Sequence, residues 1–435
     1  MSLKKLYQYH DYIKSKYEYS EENYTRILKQ TDNIYEFLND FDMMNVYPLH
    51  PELLIIPIKS DIKMVDDAML LNTTIKDTEL FNIYVSKFKT WILKVNKKIN
   101  ELQETDYSSL VKPNISKYFS WELVDNIRDI VNFKISVAWL KSYEMYNYYN
   151  INELGTTVKS LHICELPGNF ISSLYYYCQS KNINLEWIGQ SLKWDVKNSG
   201  TKPFGDDFGY VKKYPKNWDF ATGNGDITNV DNIKHYINKY KNIDLVTSDC
   251  GDDCSKDFTK QEESLTKLYI GQFLCALGTL REGGIYISKT FTFFTLPMIQ
   301  ILYLGQLFFD NFSINRTLTS KPTTGELYII GIGFRKNTVN NFDMILDKLL
   351  ERYENNKPLI NNAFLNEEFL DNINYFQKIV IMRRIINVNK ALYGYNNNNY
   401  INSHPEIYDL IKETREYFNK YFIQYYKIIK HDKHL

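Results

Sequence analysis

Hydrophobic positions along this chain change period twice. From the start to roughly residue 110 they recur at spacings of three and four, as at Phe81, Tyr84, Phe88, Trp91, Ile92 and Val95, which is the spacing of an amphipathic helix face. The same spacing returns after about residue 335 in NFDMILDKLLERYENN and YDLIKETREYFNKYFIQYYKIIK. Between those two stretches lies YGYNNNNYIN, Tyr393 to Asn402, whose polar low-complexity run reads as a loop. The middle of the chain differs. Short runs rich in β-branched and aromatic residues (LHICEL, NLEWIGQSL, IDLVTSDCG, GGIYISKTF, ELYIIGIGF) alternate with helical segments such as EESLTKLYIGQFLCALGTL and LPMIQILYLGQLFFD. That alternation predicts an α/β fold: a mostly parallel, Rossmann-like sheet covered on both faces, with helical additions at both ends. No fixed-period repeat is present, which argues against a solenoid.

In a sheet of this kind ligands sit beyond the C-terminal ends of the strands, near a switch in strand order. Chemistry is therefore sought just after each strand. LHICEL is followed by Pro167-Gly168, where a glycine lets backbone approach a ligand and the next helix N-terminus favours an electronegative group. An ordinary βα turn explains the same residues. Asp249 emerges from IDLVTSD as either a catalytic acid or a helix cap, and Lys289 ends GGIYISK as either a functional or a snorkelling lysine. Glu326 starts the last strand. If that strand runs antiparallel to its neighbours, Glu326 joins Asp249 and Lys289 at one edge. Lys141, upstream in AWLKSYE, reads from spacing alone as a complement to its helix dipole.

Charge and cysteine narrow the choices. The 435 residues hold 52 basic and 52 acidic side chains, so contact with nucleic acid must come from a local basic surface. Two stretches mix basic and aromatic residues: Lys87 to Lys98, for which a solvated helix face is the simpler account, and the loop GYVKKYPKNW, Gly209 to Trp218, the better RNA candidate. Five cysteines, an odd number set mostly in apolar runs, suit a reducing compartment without a disulfide framework. Cys250 and Cys254 lack partners at zinc spacing, Asp252 and Asp253 read as loop charges, and no metal is expected. The N-terminus lacks the apolar core of a signal peptide, and no stretch reaches the length of a membrane span. A dinucleotide site is unsupported, because no G-x-G-x-x-G occurs.

Taken in order, Lys141, CELPGNF, EWIGQSL, GNGDIT, DLVTSDCG, SKTFTFF and KPTTGELYIIG resemble the FtsJ/RrmJ-type RNA ribose 2′-O-methyltransferases, closest to the viral and eukaryotic branch of cap-2 type. The resemblance covers roughly residues 120 to 335. It implies a seven-stranded methyltransferase sheet with the last strand antiparallel; with the helical periodicity of the two ends, the domain plan is 1–110 helical, 111–335 methyltransferase and 336–435 helical. It also implies S-adenosylmethionine as cofactor, RNA as substrate, a catalytic set of Lys141, Asp249, Lys289 and Glu326, and a place in the cytoplasm, a virion or a viral factory. Capping or transcription proteins would be its protein partners. The cofactor's methionine end would lie near Glu165, Gly168 and Phe170, its adenosine near Trp187 and Asp226, and its methyl near Asp249. Asp226 has an alternative as an Asx-turn residue, and Trp187 as a core aromatic. Leu166 and Asn169 stand where the family has small residues, and the approach to Glu326 is short. A silent member that binds RNA or scaffolds an assembly is the competing reading, against which the intact set of two lysines and two acids argues.

Overall fold

The computed structural model describes residues 121–193, 205–251, 260–320, 324–337, 341–361 and 419–431, with short pieces between 365 and 380 and isolated positions that include Ile56 and Pro57. Apart from Ile56, Pro57, Leu93 and Lys97, the expected helical N-terminal domain, the basic stretch Lys87 to Lys98 within it, and the Asn-rich segment lie outside the described residues.

The apolar runs form one sheet. Its strands are β1 (Ile56–Pro57), β2 (Thr157–Ile163), β3 (Asn184–Gly189), β4 (Ile243–Ser248), β5 (Leu280–Thr290), β6 (Phe309–Asn315) and β7 (Leu327–Phe334), in the order β1-β6-β7-β5-β4-β2-β3. Strands β2 to β5 pair in parallel. β7 is antiparallel to both β5 and β6, so the last strand runs as expected. The count of seven is reached differently from the expectation. The middle of the chain supplies six strands, and the seventh is the two-residue β1, antiparallel to β6. Beyond β3, among the described residues, the backbone makes a single parallel bridge, Gly189 to Trp218.

β4 is buried at every position, which requires cover on both faces. Alternate residues divide between two cores, as the two-residue period of a strand demands. Leu245, Ile285, Ile287, Tyr328 and Ile330 face α1 (Trp121–Val131), α2 (Val137–Tyr148) and α3 (Asn169–Ser180). Val246, Tyr286 and Ile329 face the opposite layer. After the short α4 (Tyr210–Lys213), that layer is built from α5 (Val230–Lys239), α6 (Gln261–Thr279), α7 (Leu296–Phe308) and α8 (Phe342–Glu354). The helix following residue 335 thus shares the central core: the Tyr353 hydroxyl of α8 donates to the carbonyls of Thr228 and Lys267, each at 3.0 Å.

α2 begins at Ser136, whose hydroxyl accepts from the Ala138 amide at 3.1 Å. The same hydroxyl donates to Asn169 Oδ1 at 2.6 Å, and Tyr146 donates to the Phe170 carbonyl at 3.3 Å. Two contacts therefore tie α2 to the start of α3.

One expectation is overturned here. Cys164 and Cys250 form a disulfide across 86 residues of sequence, with Cα atoms 5.0 Å apart. Cysteine counting misses it because the pair depends on strand order: β2 and β4 are neighbours, Ile163 pairs with Ser248, and each cysteine lies just past its strand.

Candidate active site

The four expected catalytic residues arrive from four elements. Lys141 lies in α2, Asp249 just past β4, Lys289 at the penultimate position of β5, and Glu326 just before β7. Antiparallel β7 makes the meeting possible, because its register sets Leu327 opposite Thr290 and so brings Glu326 to the edge where β4 and β5 end. Lys141 Nζ sits 2.6 Å from Glu326 Oε1, with side chains 11% and 12% exposed. Lys289 Nζ sits 3.1 Å from Asp249 Oδ1 and donates to the Asp249 carbonyl at 2.8 Å. Gly251 gives it room: a Cβ there would stand 3.1 Å from Lys289 Nζ.

In these close pairs each lysine opposes the cost of burying its carboxyl partner as an anion, and the outcome differs between the two acids. Burial alone would raise Glu326. Lys141 foremost, then Lys289, overcome it and hold the carboxyl down to about 2. At Asp249 burial prevails and moves the carboxyl upward, with Lys289 opposing. The two acids of the cluster therefore differ in kind, one firmly held as an anion and the other closer to its proton.

Three residues around Glu326 were not anticipated. The Tyr328 hydroxyl donates to Glu326 Oε1 at 3.1 Å, and Ser320 donates to the same oxygen at 3.3 Å. Glu144, one helical turn beyond Lys141, accepts from the amides of Leu318 and Thr319. Tyr328 was within reach of a pattern argument, since residues two apart on a strand share a face.

Most of the expected cofactor residues also make contacts within the protein itself. Glu165 is buried; its Oε1 accepts from the Ile171 amide of α3 at 2.9 Å, and burial moves its carboxyl well upward. The Phe170 ring is fully buried against Tyr328, at 6.3 Å between centroids. Trp187 packs in a small core with Leu166, Ile171, Tyr210 and Trp218, the place its core-aromatic alternative describes. Asp226 forms the Asx turn, its Oδ1 accepting from the Thr228 amide at 2.8 Å and hydroxyl at 2.7 Å. Gly168 has φ +112°, and a Cβ on it would meet Tyr210 Cδ2 at 2.4 Å, so a side chain there would collide with α4. Asn169 engages Ser136, as described above. Gln190, unnoticed in EWIGQSL, binds these pieces together: its Oε1 accepts from the Cys164 amide at 3.1 Å and its Nε2 donates to the Gly225 carbonyl.

The RNA candidate loop folds as α4 and a 3₁₀ turn, Pro215–Asn217. Tyr210 and Trp218 turn inward, and Lys212, Lys213 and Lys216 stay exposed. Through Tyr210 this basic surface rests on the Gly168 turn.

Among the described residues no His, Cys, Asp and Glu group suits a metal ion, and no helix is long and apolar enough to cross a membrane.

Residues 135–334 match the family model described as FtsJ-like methyltransferase. The chain is 31% identical over 274 residues to a probable methyltransferase of African swine fever virus, covering 58% of this chain and 61% of that one. It is 29% identical over 254 residues to a cap-specific mRNA (nucleoside-2′-O-)-methyltransferase 2 of Drosophila melanogaster, covering 56% and 36%. An uncharacterised protein of Acanthamoeba polyphaga mimivirus is 28% identical over 327 residues, covering 73% and 39%. The chain thus spans between 36% and 61% of the length of these relatives.

Proposed function

We propose that the chain transfers a methyl group from S-adenosylmethionine to a ribose 2′-hydroxyl of RNA, near the 5′ cap of mRNA. One observation carries the reading: Lys141, Asp249, Lys289 and Glu326 meet in two close ion pairs at the edge where β4 and β5 end. The name of the Drosophila relative supports the cap as the place of transfer.

The residues fit the cofactor at two points. The Trp218 indole N–H is buried with no hydrogen-bond partner beside Trp187, leaving a donor for a polar heterocycle. Asp249 keeps 23% of its side chain exposed, an anionic edge suited to a sulfonium. Gly168, Asp249 and Trp218 would hold the group, which when bound supplies an electrophilic methyl on a positive sulfur.

The chain's own residues do the rest. A ribose hydroxyl is a weak nucleophile until its proton leaves, and positioning supplies much of the acceleration. Lys289, held by the Asp249 carboxylate and carbonyl, orients the 2′-hydroxyl. In its neutral form the same nitrogen would accept the hydroxyl proton as the ribose oxygen takes up the methyl group. Lys141, neutralised by Glu326, keeps that second carboxylate from competing for Lys289. The exposed Lys212, Lys213 and Lys216 would meet the RNA phosphates.

The test incubates purified full chain with labelled S-adenosylmethionine and capped or uncapped RNA, then maps the methylated nucleotide. Transfer to a ribose near the cap is expected, with Lys289→Ala slower by about 10² to 10⁴-fold, the usual contribution of a general base. Transfer to a base, or a Lys289→Ala variant as fast as wild type, sinks the reading. Equal transfer to uncapped RNA removes the cap from it.

A further inference from the structure

Glu144 is a buried carboxylate that the proposed chemistry does not use, yet it lies three residues beyond Lys141 on α2, on the same face. Its Oε1 accepts from the Leu318 amide at 2.6 Å. Its Oε2 accepts from the Thr319 amide at 3.4 Å and the Thr319 hydroxyl at 3.2 Å. Two successive backbone donors of the β6–β7 connection are thus held by one side chain. The next residue, Ser320, shares a 2.7 Å hydrogen bond with Thr317 and donates to Glu326.

These contacts close a ring. From α2, Lys141 reaches Glu326; from Glu326, Ser320 leads back through one peptide to Thr319; and Thr319 returns to α2 at Glu144. A single helical turn grips the connection at both ends. An acid that is 1% exposed costs several kcal/mol unless it is bound. Burial pushes Glu144 up to about 7, with the Leu318 and Thr319 amides foremost in opposing it. A leucine or methionine would fill the same space without that cost, so a purely packing role does not account for the residue.

We infer that Glu144 is a positioning residue for the proposed methyl transfer: it fixes Leu318 to Ser320 on α2, and through Ser320 sets Glu326 against Lys141. The inference rests on the reading of Lys141 and Glu326 as part of the reacting edge. Misplacement of a reacting group by about 1 Å can cost on the order of 10²-fold in rate.

The experiment measures single-turnover methyl transfer at saturating cofactor and RNA, cofactor affinity by calorimetry, and amide exchange over residues 316–320. The variants are Glu144→Ala, Glu144→Gln, Ser320→Ala and the double variant. Glu144→Ala is expected to slow transfer about 10 to 100-fold, leave cofactor affinity unchanged and speed exchange at Leu318 and Thr319. Glu144→Gln keeps one acceptor for the Leu318 amide and recovers most of the rate. Ser320→Ala adds nothing to Glu144→Ala, because both act through one segment. A folded Glu144→Ala protein with wild-type rate, additive losses in the double variant, or unchanged exchange overturns the inference. If wild type transfers no methyl, the functional reading fails, and amide exchange alone then decides whether Glu144 holds the segment.

Discussion

The two halves of the candidate site are built on opposite plans. Around Lys141, Asp249, Lys289 and Glu326, side chains would carry the proposed chemistry, and each has an oppositely charged partner within 3.1 Å. Around Glu165, Gly168, Phe170 and Trp187, side chains are spent on the fold: one caps a helix, two lie in cores, and the glycine is needed for having none. A charged cluster acts through atoms that only certain residue types possess. A cofactor turn acts through backbone shape, which many sequences satisfy. The first half therefore fails by losing a functional group, the second by gaining volume.

The largest effect expected from this contrast follows removal of Lys141. Lys141→Met leaves Glu326 buried without its main cation, and breaking a buried pair in this way costs about 3 to 5 kcal/mol. Its pH dependence checks the cause. In the wild type Glu326 is held down to about 2 from an ordinary 4.5, so its contribution is complete above the ordinary value and disappears as pH falls through the lower one. In the variant burial dominates, and the carboxyl takes up a proton more readily than an exposed one. The stability gap between the two proteins, measured by denaturant unfolding, is accordingly widest at neutral pH and narrows in acid. A gap that stays constant with pH assigns the loss to packing.

The same contrast explains what could be read before any coordinates. Asp249 and Lys289 were legible because parallel-strand logic directs attention to strand ends, and Glu326 because an antiparallel last strand returns its N-terminus to that edge. Lys141 needed the family resemblance, since helical spacing offered only a dipole role. Phe170 shows the limit of that resemblance: a motif transfers a position without saying whether ring or backbone faces the ligand. β1 has two residues, too few for any periodicity. Glu144 acts across 174 residues and Asn169 across 33, pairings that exist only once α2 has packed on the sheet, and Ser320 reaches Glu326 across 6 residues of irregular connection, where no periodicity points to a partner. Asn169 is instructive because its departure from small size turned out to tie the turn to the helix that carries Lys141.

A smaller effect is expected where the two halves are joined. The Cys164–Cys250 disulfide adjoins Glu165 on one side and Asp249 on the other, so it staples the turn to the charged cluster. A closed loop of 86 residues restricts the unfolded chain, and losing such a link costs about 2 to 4 kcal/mol. Unfolding with and without a dithiol reductant measures it, and Cys250→Ser should abolish the difference. Equal stability in both conditions would mean that β2–β4 pairing alone holds the halves together.

The least costly change probes the turn itself. Gly168→Ala places a methyl where Tyr210 Cδ2 lies 2.4 Å away and imposes a side chain at φ +112°, a backbone region nearly reserved for glycine. Strain of this kind costs about 1 to 3 kcal/mol. Tyr210→Ala removes the collision at the cost of its own buried ring, so the test is the cycle: Gly168→Ala should cost less in the Tyr210→Ala background, where only the dihedral strain remains, than in the wild type. If the turn serves the cofactor through its backbone, Gly168→Ala weakens cofactor affinity while leaving the transfer rate at saturation near that of wild type. Lys289→Ala does the reverse. A Gly168→Ala protein that binds cofactor normally and transfers slowly would break the division, because the turn would then be acting on the charged cluster through α2 and the Ser136–Asn169 bond.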